Sequence, residues 1–123
     1  MNSDSLLLRQ INSFWLQNGR VTSLAFRPTP KDEKLLSVYD GDLISLQNAW
    51  QHFTMLGYTS IGVMGVTVGE CFLFDLPARS APQPFPEHAV IDYSAFGTSM
   101  IEKKAKLLRA KAMQRNWLFQ KTA

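Results

Sequence analysis

Strand-like and helix-like segments do not alternate regularly along this chain, and that irregularity most narrows the folds open to it. Hydrophobic spacing and turn residues read, in order, as helix, strand, strand, helix, strand, strand, strand, helix. A wholly parallel sheet needs a crossover helix after nearly every strand. The pattern therefore predicts an α+β fold. It is a single domain over 1–123 with a mainly antiparallel sheet of about five short strands, packed with N-terminal, central and C-terminal helices.

The N-terminal helix is expected over 3–17, capped by Ser3 or Asp4 and stopped at Asn18-Gly19. Leu7, Ile11, Phe14 and Trp15 fall on one face at helical spacing. Arg20 to Phe26 reads as a strand. Arg27-Pro-Thr-Pro-Lys-Asp-Glu-Lys34 reads as a stiff, exposed loop, because two prolines exclude helix and sheet interior alike. A strand over 35–39 and an Asp40-Gly-Asp42 turn lead to a second helix over 45–55, capped by Ser45. The β-rich run 60–68 follows, with glycines at 62 and 65. A further strand is expected over 71–75. Four prolines within 76–86 make that segment a loop of polyproline character. His88 to Tyr93 is the last strand, and 101–119 is a basic C-terminal helix.

The charge is unevenly placed. From Ile101 onward seven basic residues face Glu102 alone, a segment charge of +6, while the first hundred residues carry −3. Such a segment either seeks an anionic partner or docks on the acidic body of its own chain. Within it, Ile101, Ala105, Leu108 and Ala112 form a narrow apolar stripe that should face inward. Met113 and Trp117 lie on a second strip, left for something else. The leading expectation is a small cytoplasmic protein-interaction module, a complex subunit or an immunity- or antitoxin-type partner. Its contact surface would comprise Lys103, Lys104, Lys106, Leu107, Arg109, Lys111, Met113, Arg115, Trp117 and Phe119. The alternative is nucleic-acid binding through the same helix, with Trp117 and Phe119 available for base stacking.

A third reading is a small enzyme or ligand-binding domain using Arg27, Lys31 and Asp32 of the prolyl loop with His88. It requires those groups to converge on one pocket. No nucleophile elbow, phosphate loop or metal-ligand spacing appears, and the two histidines lie 36 positions apart. No catalytic residue, metal or cofactor is expected. The lone cysteine, Cys71, reads as a buried inert thiol beside Glu70, and a reducing cytoplasm as its compartment. No apolar run reaches the ~18 residues of a membrane span, and no secretory leader is expected at the N-terminus.

Overall fold

The computed structural model describes residues 1–121. Its centre is a strand built from the first apolar run, β1 (Leu6–Ile11). Five further strands join it: β4 (Leu35–Asp40), β5 (Gly62–Thr67), β6 (Ala78–Ser80), β7 (His88–Asp92) and β8 (Phe119–Gln120). The sheet order is β6-β7-β4-β1-β5-β8, and every neighbouring pair is antiparallel. The helices are α1 (Leu46–Met55), α2 (Val68–Leu73) and α3 (Thr98–Arg115). The α+β class and the antiparallel sheet are as expected, with six strands in the main sheet.

The N-terminal helix does not form. Leu7, Leu8, Gln10 and Ile11 are all buried, because β1 is covered on both faces and flanked by β4 and β5. A strand presents successive side chains to opposite faces, so Leu-Leu-Leu-Arg-Gln-Ile fills two cores at once. A helix would bury one face only, and Phe14, assigned to that face, is 87% exposed. Asn18-Gly19 is likewise not a helix stop. Both residues have positive φ, 54° and 77°, and they join β2 (Leu16–Gln17) to β3 (Arg20–Val21) in a two-residue hairpin. Asn-Gly favours this type of turn because both central residues must enter the left-handed region. The expected strand over 20–26 shrinks to β3, followed by a 3-10 turn over Ser23–Phe26.

The expected strand over 71–75 is instead the end of α2, through Leu73, and the turn that follows it. Thr67 and Glu70 form a capping box at the start of α2: Glu70 N–H donates to Thr67 Oγ1, and Thr67 N–H donates to the Glu70 carboxylate. Ser45 caps α1 as expected, accepting from the Asn48 N–H.

The helix expected over 101–119 begins at Thr98 and ends at Arg115. Asn116, with φ 69° and ψ −174°, turns the chain away. Trp117 and Phe119 therefore lie beyond the helix, the latter in β8. The inward strip is as expected, with Ile101, Ala105, Leu108 and Ala112 all buried.

Two cores result. The larger lies between one sheet face and α3 with the 3-10 turns, and includes Leu7, Ile11, Leu36, Met64, Ile91 and the α3 strip. The smaller lies on the opposite face under α1, where Leu8, Tyr39, Ala49 and Val63 meet Trp50 and Phe53. No helix among the described residues is long and apolar enough to cross a membrane.

Candidate functional site: a cleft at the β1/β4 seam

The seam between β1 and β4 is only partly closed. β1 pairs with β5 along all six of its residues, but with β4 only at Leu7–Asp40 and Leu8–Tyr39. Past that point the strands part. The Ser37 carbonyl accepts instead from Arg9 Nη1 at 2.8 Å, while Arg9 Nε donates to the Ala25 carbonyl at 2.7 Å. The guanidinium lies 4.9 Å from the centre of the Trp15 ring. Burial lowers the Arg9 pKa to about 10, opposed by the charges of Asp32 and Tyr93, so the group remains a cation at neutral pH. It holds the split seam open and bridges it.

A cavity of ≈ 270 Å³ fills the split. The sheet contributes Leu8, Arg9, Gln10, Ser37 and Tyr39. Trp15, Phe53, Tyr58, Phe85 and His88 add to the lining. A second depression of ≈ 240 Å³ shares Gln10, Trp15, Phe53 and Tyr58, so Gln10 belongs to both. Gln10 is 5% exposed, and among the described residues neither its Nε2 nor its Oε1 has a hydrogen-bond partner. Buried amides are almost always paired, which makes this side chain the chemical focus of the cleft.

Both histidines of the chain reach one aromatic cluster. Phe85 lies 4.5 Å from the His52 ring, 5.3 Å from His88 and 5.1 Å from Tyr39, centre to centre. His88 Nδ1 is 2.8 Å from the Ala81 carbonyl. A carbonyl only accepts, so Nδ1 carries the proton. In the neutral ring Nε2 then accepts from the Ser37 hydroxyl at 3.1 Å. Tyr39 Oη lies 2.8 Å from His52 Nδ1. Burial first, and the charge of Glu87 second, raise the Tyr39 pKa to about 12, so the phenol stays neutral. The cleft thus offers flat apolar walls, uncharged hydrogen-bonding groups in Gln10, Ser37 and Tyr39, and one cation engaged by two carbonyls.

Arg27, Lys31, Asp32 and His88 do not form one site. Arg27 pairs with Glu102 at 2.9 Å and lines a separate depression of ≈ 470 Å³ with Pro28, Pro30 and Lys34. Asp32 accepts from the Thr29 N–H and hydroxyl in a local capping box. Lys31 sits exposed on the same short turn. Register places Asp92 opposite Leu35, next to this loop, and His88 opposite Tyr39. Four residues of strand, about 13 Å, separate the two ends.

The basic residues of α3 divide into two groups. Arg115 donates to Glu70 Oε1 at 3.0 Å, to Oε2 at 3.2 Å and to the Gly65 carbonyl. Burial pushes the Glu70 pKa up, but Arg115 and the Thr67 cap outweigh it, and the net shift is downward. Lys104 lies 3.8 Å from Asp75 and 4.9 Å from the Phe96 ring centre. Arg109 Nε donates to the Val21 carbonyl at 2.6 Å. These residues clamp the helix to its own body. Met113 and Trp117 pack against the larger core, and Phe119 packs on the smaller one, 5.6 Å from Trp50. Lys103, Lys106 and Leu107 are exposed and Lys111 partly so.

Cys71 is fully buried. Burial, with Glu70 as the lesser cause, pushes its thiol up to about 12, which leaves it unreactive. No group of three or more His, Cys, Asp or Glu side chains that could hold a metal ion occurs among the described residues.

The cleft residues Arg9, Gln10, Ser37, Tyr39 and Phe85 have no sequence motif. The one available signal is the pair Arg9-Gln10 inside an otherwise apolar run. On a helix it reads as the solvent side; on a central strand it must be buried. No protein-family model, no curated protein and no solved structure matches the chain.

Proposed function

We propose that this protein is a small-ligand-binding domain whose site is the cleft at the β1/β4 seam. The observation that carries the reading is Gln10, a residue of the cavity lining that is 5% exposed and whose two polar atoms are buried without a partner among the described residues. An unsatisfied buried amide costs about 1–3 kcal/mol. A ligand that reaches and hydrogen-bonds both atoms recovers that cost. Aromatic walls with a few placed polar groups are the usual composition of a small-molecule site.

Screening a library of soluble fragments by NMR tests this. Binders are expected to move the Gln10 side-chain amide and the Trp15 indole resonances together, and Gln10→Met is expected to weaken them. A library of several hundred fragments that leaves both resonances unmoved would sink the proposal.

A second reading keeps the exposed side of α3 as a protein-contact surface, within a cytoplasmic complex. Leu107 (43% exposed) on α3 and Phe72 and Leu73 (57% and 69%) on α2 are open to solvent, and Lys103, Lys106 and Lys111 form no salt bridge among the described residues. Removing residues 101–123 cannot test this, because it would strip Ile101, Ala105, Leu108 and Ala112 from the core. Leu107→Glu with Lys106→Glu leaves the core intact. If a partner co-purified with the wild type stays bound to this double variant, the second reading fails.

A further inference from the structure

We infer that the ligand of the cleft is a nucleobase. This rests on the ligand-binding reading above and narrows it to one chemical class.

The first argument is the shape of the unmet hydrogen-bonding demand. A carboxamide presents a donor and an acceptor side by side, so it pairs best with a planar edge carrying an adjacent acceptor and donor. Every nucleobase has such an edge, and glutamine makes a bidentate pair of this kind with adenine. Because Gln10 is buried, a ligand that meets only one of its two atoms leaves the other unpaired, and the site discriminates against it.

The second argument is the walls. Phe53 and Tyr58 are stacked, with ring centres 5.0 Å apart and planes 27° from parallel, and both line the two depressions that meet at Gln10. Trp15 lines both as well. Aromatic rings beside a buried hydrogen-bonding edge accept the flat faces of a heterocycle.

The third is charge. Among the described residues Arg9 is the only Lys or Arg side chain lining the ≈ 270 Å³ cavity, and it donates to the carbonyls of Ala25 and Ser37. With one partly engaged guanidinium and a mostly aromatic wall, the cavity suits a flat heterocycle better than a phosphate. That heterocycle can arrive free, as a base or nucleoside, or as an unpaired base of a single strand whose phosphates stay outside.

The experiment titrates the full chain with adenosine, guanosine, cytidine and uridine, their 5′-monophosphates, N6,N6-dimethyladenosine, and single-stranded hexanucleotides at low and high salt. The Trp15 indole and Gln10 amide resonances are followed. At least one nucleoside is expected to bind, its monophosphate no more tightly, with about tenfold loss on Gln10→Met, the scale of a bidentate base contact. If adenosine is that ligand, methylation of its amino group is expected to cause a similar loss. Tyr58→Ala, at a residue 60% exposed, provides a second variant that leaves Gln10 in place, and is expected to weaken binding several-fold through lost stacking. Hexanucleotides that bind more tightly than nucleosides, with salt dependence and the same sensitivity to Gln10→Met, identify the base as part of a strand. If library fragments occupy the cleft while no nucleoside or oligonucleotide does, the nucleobase inference is overturned and the binding reading stands. If nothing occupies it, both fall.

Discussion

Gln10 sets stability against binding within a single side chain. Methionine has nearly its length without the amide, so Gln10→Met removes two unpaired polar atoms from a buried site. We expect the variant to be more stable than the wild type by about 1 kcal/mol in urea unfolding, while ligand binding falls. Asp92 acts on a different axis. The hydrogen bond from Ser94 first, and the Arg79 guanidinium with it, outweigh burial and lower its pKa from 3.8 to about 2. Its ionised form is favoured in the fold, so its contribution is fully present above about pH 4. That contribution is lost as the pH falls toward about 2. Asp92→Asn is expected to flatten the stability profile of acid unfolding in that window, and to leave the neutral-pH slope unchanged. Neither role was legible in the sequence. Leu7, Ile11, Phe14 and Trp15 satisfy a helical period, which turns Gln10 outward. Only pairing with two neighbouring strands, a long-range fact, turns it in.

Single positions also decide how elements end and attach. The inner strip of α3 could be read because helical spacing alone specifies it. The helix end could not, since Asn116 breaks the helix through a left-handed φ that many asparagines never adopt. The capping box of α2 was in plain view as Thr67-Val-Gly-Glu70, and the β-branched residues before it masked the change of period. Arg115 ties α3 to α2 through Glu70, with side-chain exposures of 29% and 18%. Arg115→Met is expected to cost about 2 kcal/mol, because it strands a half-buried carboxylate and the Gly65 carbonyl. Lys106→Met, at an exposed site, should stay within about 0.5 kcal/mol. Both follow from chemical denaturation. Gly62 makes room for β8: a Cβ there would lie 2.5 Å from the Phe119 carbonyl oxygen and 2.9 Å from the Trp117 ring. Gly62→Ala is expected to loosen β8. The Leu118 and Lys121 amides, which donate to Val63 and Ile61, should then exchange with solvent many-fold faster, while the α1 amides keep their protection.

At the scale of the whole molecule, the class was legible and the position of the first strand was not. Segment order excluded a wholly parallel sheet, yet it could not show that the chain's first element becomes its centre. The sheet closes at its borders with strands of three and two residues, β6 and β8, which leaves little edge for a second chain to pair with. The unevenly placed charge is also partly explained at this scale: Arg115, Lys104 and Arg109 fasten the last helix to the body. The central place of β1 bears on how the protein is made. Leu6–Ile11 leaves the ribosome before its partners: β5 is not complete until Thr67 has emerged, and α3, which covers the larger core, comes later still. Folding therefore waits until those later elements are made, and the nascent strand, apolar on both faces, spends that interval unshielded. Stalled chains in which Thr67 has not left the exit tunnel should be cut freely by protease, and protection should appear only when α3 is outside.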